Sequence, residues 1–316
     1  MPPEATGPGA AAGSDAPLQQ PAAGAIYDLG YRGYDGERLG RTAAVTTLFW
    51  SSLRAAFGLG RSGRAKIIPW GLTAFLLAPA AISVAISALV PVGEANPFTY
   101  DNYLFGSASI YALFVAAQAP ELVSGDQRHR VLSLYFSHAL LRSDYALAKL
   151  GALAAALFLI GFAPMLLLFL GSVLVAADVA GAFGDQLENL PQVFLAPAIF
   201  ALPLVALGMA IAAWTPRRAY ATGAIIAVFI VTAAVSGIFD QAFSGGDTGG
   251  FVAEWSQLLN PFVAAEGTRD LLVGGTNPEA PIDRTNLPLW VFAAEWALIV
   301  AAGTASTLWR YRRIAA

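Results

Sequence analysis

Six stretches of about 20 predominantly apolar residues decide what this chain can fold into, because each matches in helical length a hydrocarbon core about 30 Å thick. They run over Pro69–Val90, Tyr103–Ala119, Tyr145–Ala177, Gln192–Trp214, Tyr220–Phe239 and Pro288–Trp309. The chain therefore reads as an all-α polytopic membrane protein with six transmembrane helices. With 57% of its residues hydrophobic and only 12% charged, it has little to offer a water-facing fold of the same size. The third stretch is long enough to tilt, or to break near Gly161 and Pro164.

The basic residues sort by loop. Arg32, Arg38, Arg41, Arg54, Arg61, Arg64 and Lys66 precede span one, and Arg128, Arg130, Arg142 and Lys149 lie between spans two and three. Arg217 and Arg218 separate spans four and five, and Arg310, Arg312 and Arg313 follow span six. The alternate loops keep Arg269 and Arg284 against many carboxylates, among them Glu94, Asp101, Asp178, Glu188, Asp240 and Glu266. Lysine and arginine collect on the cytoplasmic side, so a multi-pass protein of the plasma membrane with both termini cytoplasmic is expected. Span one begins behind a long polar region, unlike a cleaved secretory signal.

Residues 1–25 are Ala, Pro, Gly and Gln with almost no large apolar side chain, the composition of a disordered tail. Residues 26–66 form a cytoplasmic segment. Within it Val45, Leu48, Phe49, Ser52, Ala56 and Leu59 recur at helical spacing, as in an amphipathic helix lying in the headgroup layer with its arginines near lipid phosphate. The same pattern suits a short helix packed on a partner. Residues 67–313 form the transmembrane domain, interrupted by a polar loop at 121–149 and a long loop at 240–287 on the opposite side. In the latter, Phe251, Trp255, Leu258 and Leu259 have helical spacing and Pro261 after Asn260 starts a second helix. These short extracellular helices either cap the outer mouth or dip into the outer leaflet.

Chemistry-bearing motifs are sparse. There is no cysteine, which removes disulfides, thiolate nucleophiles and cysteine-based metal sites. Gly58-Leu-Gly60-Arg-Ser-Gly63 fits a dinucleotide fingerprint and approaches a Walker A loop, but it lacks the preceding strand. Arg64 and Ala65 stand where the phosphate-binding lysine and the magnesium-binding hydroxyl belong. A basic hinge between the surface helix and span one accounts for it. Both histidines, His129 and His138, lie in the polar loop nine residues apart, which fits neither a catalytic set nor a metal site. No enzymatic activity, metal or nucleic-acid partner is expected. Ionisable and polar groups inside spans are costly and often functional, which singles out Glu295 in span six and Gln118 and Glu121 at the inner end of span two. Glu295, flanked by Trp290 and Trp296, fits equally a residue that only fixes helix packing.

The segment Glu121–Lys149 has too many charges for lipid and too many large apolar residues for a plain linker. Asp126, Arg128, Leu132, Leu134, Tyr135, Phe136, Ser137, Leu140, Arg142, Asp144, Tyr145 and Lys149 match the run carried between spans two and three by permease subunits of type-2 ATP-binding-cassette (ABC) exporters. Over residues 27–313 the chain resembles that family. Its front part, Tyr31–Arg41 with Ala56–Lys66, resembles members from high-GC actinobacteria, whereas His138 and Ala139 stand where members often have a basic residue and proline.

The resemblance implies a coupling helix within Asp126–Ser137 that inserts into a groove on a separate ATP-binding subunit. Leu132, Tyr135 and Phe136 would form its apolar plug, Leu134 would also take part in coupling, and Arg128, His129 and Arg130 would meet acidic groups. ATP and magnesium would be bound by two copies of that partner. A second permease copy, identical or related, would complete a pathway for efflux of a drug, antibiotic or lipid-like compound. The alternative is a non-transporting membrane anchor that recruits a cytoplasmic enzyme.

Overall fold

Backbone groups in hydrocarbon find no water, so a chain of this composition satisfies them within helices. A computed structural model describes residues 36, 39–89, 98–137, 140–243, 249–275, 277 and 280–313. The proposed tail, the glycine-rich residues 244–248, His138 and Ala139 lie outside them. In chain order the helices are α1 (Arg41–Ala56), α2 (Gly63–Leu89), α3 (Tyr100–Gly106), α4 (Ala108–Arg128), α5 (Leu132–Phe136), α6 (Arg142–Val175), α7 (Val179–Gln186), α8 (Leu190–Trp214), α9 (Arg218–Phe243), α10 (Gly249–Ser256), α11 (Pro261–Val273) and α12 (Leu289–Arg313).

Among the described residues five stretches are long and apolar enough to cross a membrane: α2, α6, Val179–Trp214 (α7 through α8), α9 and α12. The chain is thus a polytopic α-helical membrane protein. The second predicted span differs. Tyr103–Ala119 is divided at Ser107, whose hydroxyl donates to the Tyr103 carbonyl at 2.6 Å and competes with the helical ladder. Beyond the break, α4 runs on to Arg128, and Gln118, Pro120 and Glu121 dilute its apolar content. The third span does not break: α6 is continuous through Gly161 and Pro164.

α4, α6 and α8 form the centre. Phe114, Val115, Leu122 and Val123 of α4, Leu153 and Ile160 of α6 and Leu204, Val205 and Met209 of α8 share one buried cluster. The outer helices α2, α9 and α12 instead turn large apolar residues outward, including Phe75, Ile82, Ile230, Ile238 and Leu298. In water such a belt would be an aggregation surface, whereas in lipid it is the surface that hydrocarbon solvates.

The predicted face of α1 is turned onto protein. Leu48, Ser52, Leu53 and Ala56 are buried, and Phe49 reaches Gly151 of α6. Arg41, expected near lipid phosphate, instead makes a two-pronged pair with Asp144 at the start of α6, both contacts at 2.6 Å. The following glycine run is a tight turn, with Gly58 and Gly60 in the left-handed region that a side chain disfavours. Arg61 ties that turn to Glu121 of α4.

Where helices approach most closely, small residues remove the obstacle. A Cβ placed on Gly303 of α12 would lie 2.6 Å from the Ala206 carbonyl oxygen of α8, a backbone atom that cannot swing aside. Gly303→Ala is therefore expected to destabilise by about 1–3 kcal/mol through overpacking. Gly71→Ala, with open space around it, should be neutral or stabilising, since alanine is the better helix former. Thermal unfolding of the two variants in detergent checks the contrast.

Candidate functional site

The polar loop predicted at 121–149 is shorter in the structure, because α4 extends to Arg128 and α6 starts at Arg142. α4 ends where Arg130 takes a φ of 54°, letting the Val131 amide donate back to the Asp126 carbonyl at 3.1 Å. Arg128, in the last turn, complements the partial negative charge of that helix end. One turn of helix, α5, follows.

Three of its five residues are anchored. Leu132 is buried, and the rings of Tyr135 and Phe136 lie 5.5 and 6.1 Å from that of Tyr145, which is itself fully buried on α6. Burial and the nearby Asp126 charge push the Tyr135 phenol up from its ordinary value, so it stays neutral. The Arg142 guanidinium sits 5.7 Å over the Phe136 ring and donates to the Arg312 carbonyl at 3.0 Å, tying this seat to the end of α12.

Beneath α5 lies a knot of polar groups. Asp126 accepts from the Tyr145 hydroxyl at 2.7 Å and pairs with the buried Lys149 ammonium at 3.0 Å. Gln127 donates to the Tyr311 hydroxyl at 2.9 Å and to the Ala213 carbonyl at 3.0 Å, and the Tyr145 and Tyr311 rings are 5.0 Å apart. α4, α6, α8 and α12 are thereby laced together under α5.

The predicted docking residues consequently separate into two groups. Leu132, Tyr135, Phe136 and Asp126 face inward, so the apolar plug expected from the first three is a support rather than a projecting surface. Arg128, His129, Arg130 and Leu134 face outward, with Leu134 65% exposed. The reason is local: in a single turn, side chains three and four residues apart share a face, so seating Leu132, Tyr135 and Phe136 leaves Leu134 on the other side.

Of the remaining predicted positions, Gln118 is buried on α4. Glu121 meets Arg61 in the turn after α1 and, at 2.5 Å, Arg218 of α9. Glu295 is half-buried on α12, and its Oε2 is buried with no hydrogen-bond partner among the described residues. The neighbouring Trp296 donates to the Ile199 carbonyl at 2.8 Å and fixes α12 to α8.

A second polar knot, at the other end of α4, was not evident from residue patterns. Asn260 caps α11 by accepting from the Phe262 amide at 3.0 Å, and Pro261 through Arg269 are all buried. Arg269, 0% exposed, pairs with Glu266 at 3.0 Å, contacts Asp270, and donates to the Asp101 carbonyl at 2.7 Å. Asn277 donates to Glu266 at 2.7 Å and Gln192 to Asp101 at 2.8 Å. Burial pushes the Glu266 carboxyl up to about 8 although Arg269 opposes it. Asp270 still answers the guanidinium when Glu266 is protonated, and Oε2 of Glu266, which has no hydrogen-bond partner among the described residues, is the oxygen left to carry the proton. The local signal was Glu266-x-x-Arg269-Asp270 behind an Asn-Pro helix start, a spacing that puts Glu266 and Arg269 on one face.

No protein-family model matches the chain, and no curated protein matches it.

Proposed function

We propose that this chain is the membrane-spanning subunit of a type-2 ABC exporter, driven by a separate ATP-binding subunit that docks on the turn Arg128–Leu134. One observation carries the reading. A short, outward-facing basic and apolar turn rests on a polar knot that joins four long helices, the arrangement needed to convert a push on a surface loop into helix motion. In this reading α4 supplies the sixth crossing: its 21 residues span about 31 Å, and its Glu121 and Asp126 carboxylates and the Gln127 amide nitrogen are occupied by protein partners. The turn and both chain ends are cytoplasmic, a second permease copy completes the pathway, and an apolar or amphiphilic compound is exported. ATP and magnesium belong to the partner.

Co-expression with an ABC ATP-binding subunit, identified by its Walker A, signature and Walker B motifs, tests it. Leu134→Ala and the pair Arg128→Glu/Arg130→Glu are expected to reduce copurification about tenfold or more, as loss of an anchor and reversal of charge at an interface do. Their unfolding temperatures should stay within the wild-type range, because none of the three side chains is packed inside. Undiminished copurification of the charge-reversed variant would overturn docking at this turn, and copurification without any ATP-dependent efflux by wild type would favour the non-transporting anchor.

A further inference from the structure

A groove follows the face of α9 that meets α4. Its wide mouth, about 1140 Å³, is lined by Arg128, Arg217, Arg218 and Tyr220 together with Ile68 and Ala117. Ile226 continues it into an apolar pocket of about 320 Å³ bounded by Leu113, Phe229, Ile230 and Phe262. One end is cationic and the rest is hydrocarbon.

Arg128, Arg217 and Arg218 line the mouth, and the single carboxylate of Glu121 is shared by Arg218 and Arg61, leaving three positive charges in surplus among these five residues. Arg218 is engaged by Glu121 at 2.5 Å. Arg128 and Arg217 are exposed and make no ion pair among the described residues, and the Arg217 guanidinium sits 5.7 Å over the Tyr220 ring. From Arg218 to Phe229 the groove follows eleven helical rises of α9, about 16 Å, close to the half-thickness of a hydrocarbon core about 30 Å deep. An occupant with an anionic head at the arginines and a chain as long as one leaflet fills both parts. A basic pocket between spanning helices is the usual way to hold such a headgroup.

We propose that this groove holds an anionic phospholipid of the surrounding bilayer, its phosphate between Arg128 and Arg217 and one acyl chain laid along α9 past Ile226 to Phe229. The site requires no ATPase partner and does not depend on the transport reading. Bound this way, the lipid would join α4 to α9 where the two helices are otherwise bridged by the Glu121–Arg218 pair.

The test is native mass spectrometry of the full chain released from nanodiscs of equal phosphatidylglycerol and phosphatidylcholine. Wild type is expected to retain phosphatidylglycerol about tenfold or more over phosphatidylcholine, the scale set by two arginines near an anionic surface. The pair Arg128→Gln/Arg217→Gln should bring the ratio close to one, while Arg54→Gln, on the exposed side of α1, keeps the wild-type ratio. Ile226→Trp, which obstructs the chain slot and leaves the arginines intact, should lower retention of both lipids severalfold. Free inorganic phosphate should displace neither. Equal retention of the two lipids by wild type, or unchanged retention in Ile226→Trp, would overturn the proposal. So would a lipid-free dimer cross-linked through Ile230→Cys, which would assign this face to a second copy of the chain.

Discussion

Replacing Arg269 by methionine is expected to destabilise the protein by roughly 3–5 kcal/mol, the usual cost of leaving buried charge without its partner. The guanidinium contacts Glu266, Asp270 and Asp101, and it also satisfies the Asp101 carbonyl. Its loss leaves carboxylates facing one another, with Glu266 and Asp270 largely shielded from water. Lysine should not restore stability, because a single ammonium cannot reproduce the planar fork that addresses these oxygens in different directions. The readout is thermal unfolding in detergent, with Arg269→Lys and Arg269→Met both far below wild type. A methionine variant as stable as wild type would mean the knot is decorative.

The same cluster predicts a pH dependence. The folded Glu266 carboxyl titrates near 8 against an ordinary value of 4.5, so the folded state binds more protons between those values. Its contribution to stability is complete below about 4.5 and is lost as pH rises through about 8. Stability should therefore fall across that window in wild type, and Glu266→Gln, which keeps the shape and the neutral form, should flatten the fall. A wild-type profile that rises over the window would contradict the assignment.

The second large effect concerns the support of α5. Tyr145→Ala removes a fully buried ring that touches Tyr135, Phe136 and Tyr311 and whose hydroxyl donates to Asp126. Aromatic-to-alanine changes in a core cost about 3–5 kcal/mol, and here the loss includes the seat of the docking turn. Tyr145→Phe keeps the ring and loses one hydrogen bond to a charged group, about 1.5–3 kcal/mol, while Lys149 still pairs with Asp126. Leu134→Ala should change stability by less than about 0.5 kcal/mol. The unfolding temperature should be lowest for Tyr145→Ala, intermediate for Tyr145→Phe and highest for Leu134→Ala, with protease cleavage appearing near α5 only in Tyr145→Ala. That order would establish that the inner residues hold the turn and the outer ones present it. The reverse order would mean that Leu134, not Tyr145, anchors α5.

These experiments divide along a line that runs through the residues themselves. Five spanning stretches are readable from apolar length, because hydrocarbon leaves a backbone no alternative to the helix and its depth sets the number of residues. The start of α11 is readable from Asn260-Pro261, since a cap and a fixed φ act over two residues. The division at Ser107 is not, because Tyr103–Ala119 is apolar on both sides of a serine whose choice of acceptor depends on the fold. Nor does the periodicity of α1 distinguish a lipid surface from a protein one; the pairing of Arg41 with Asp144, 103 residues away, does.

Hydrophobic length and local capping thus determined, from the sequence alone, that this is a multi-pass helical membrane protein and where a polar segment interrupts it. Both act over a few turns of helix and need no knowledge of neighbours. Which face of Asp126–Phe136 turns outward, and that Arg269 anchors a buried knot, were decided only by tertiary structure. Asp101 is 168 residues from Arg269 and Gln127 is 184 from Tyr311. The free energy of a buried charge depends on whether such distant partners arrive, and no local pattern records their arrival.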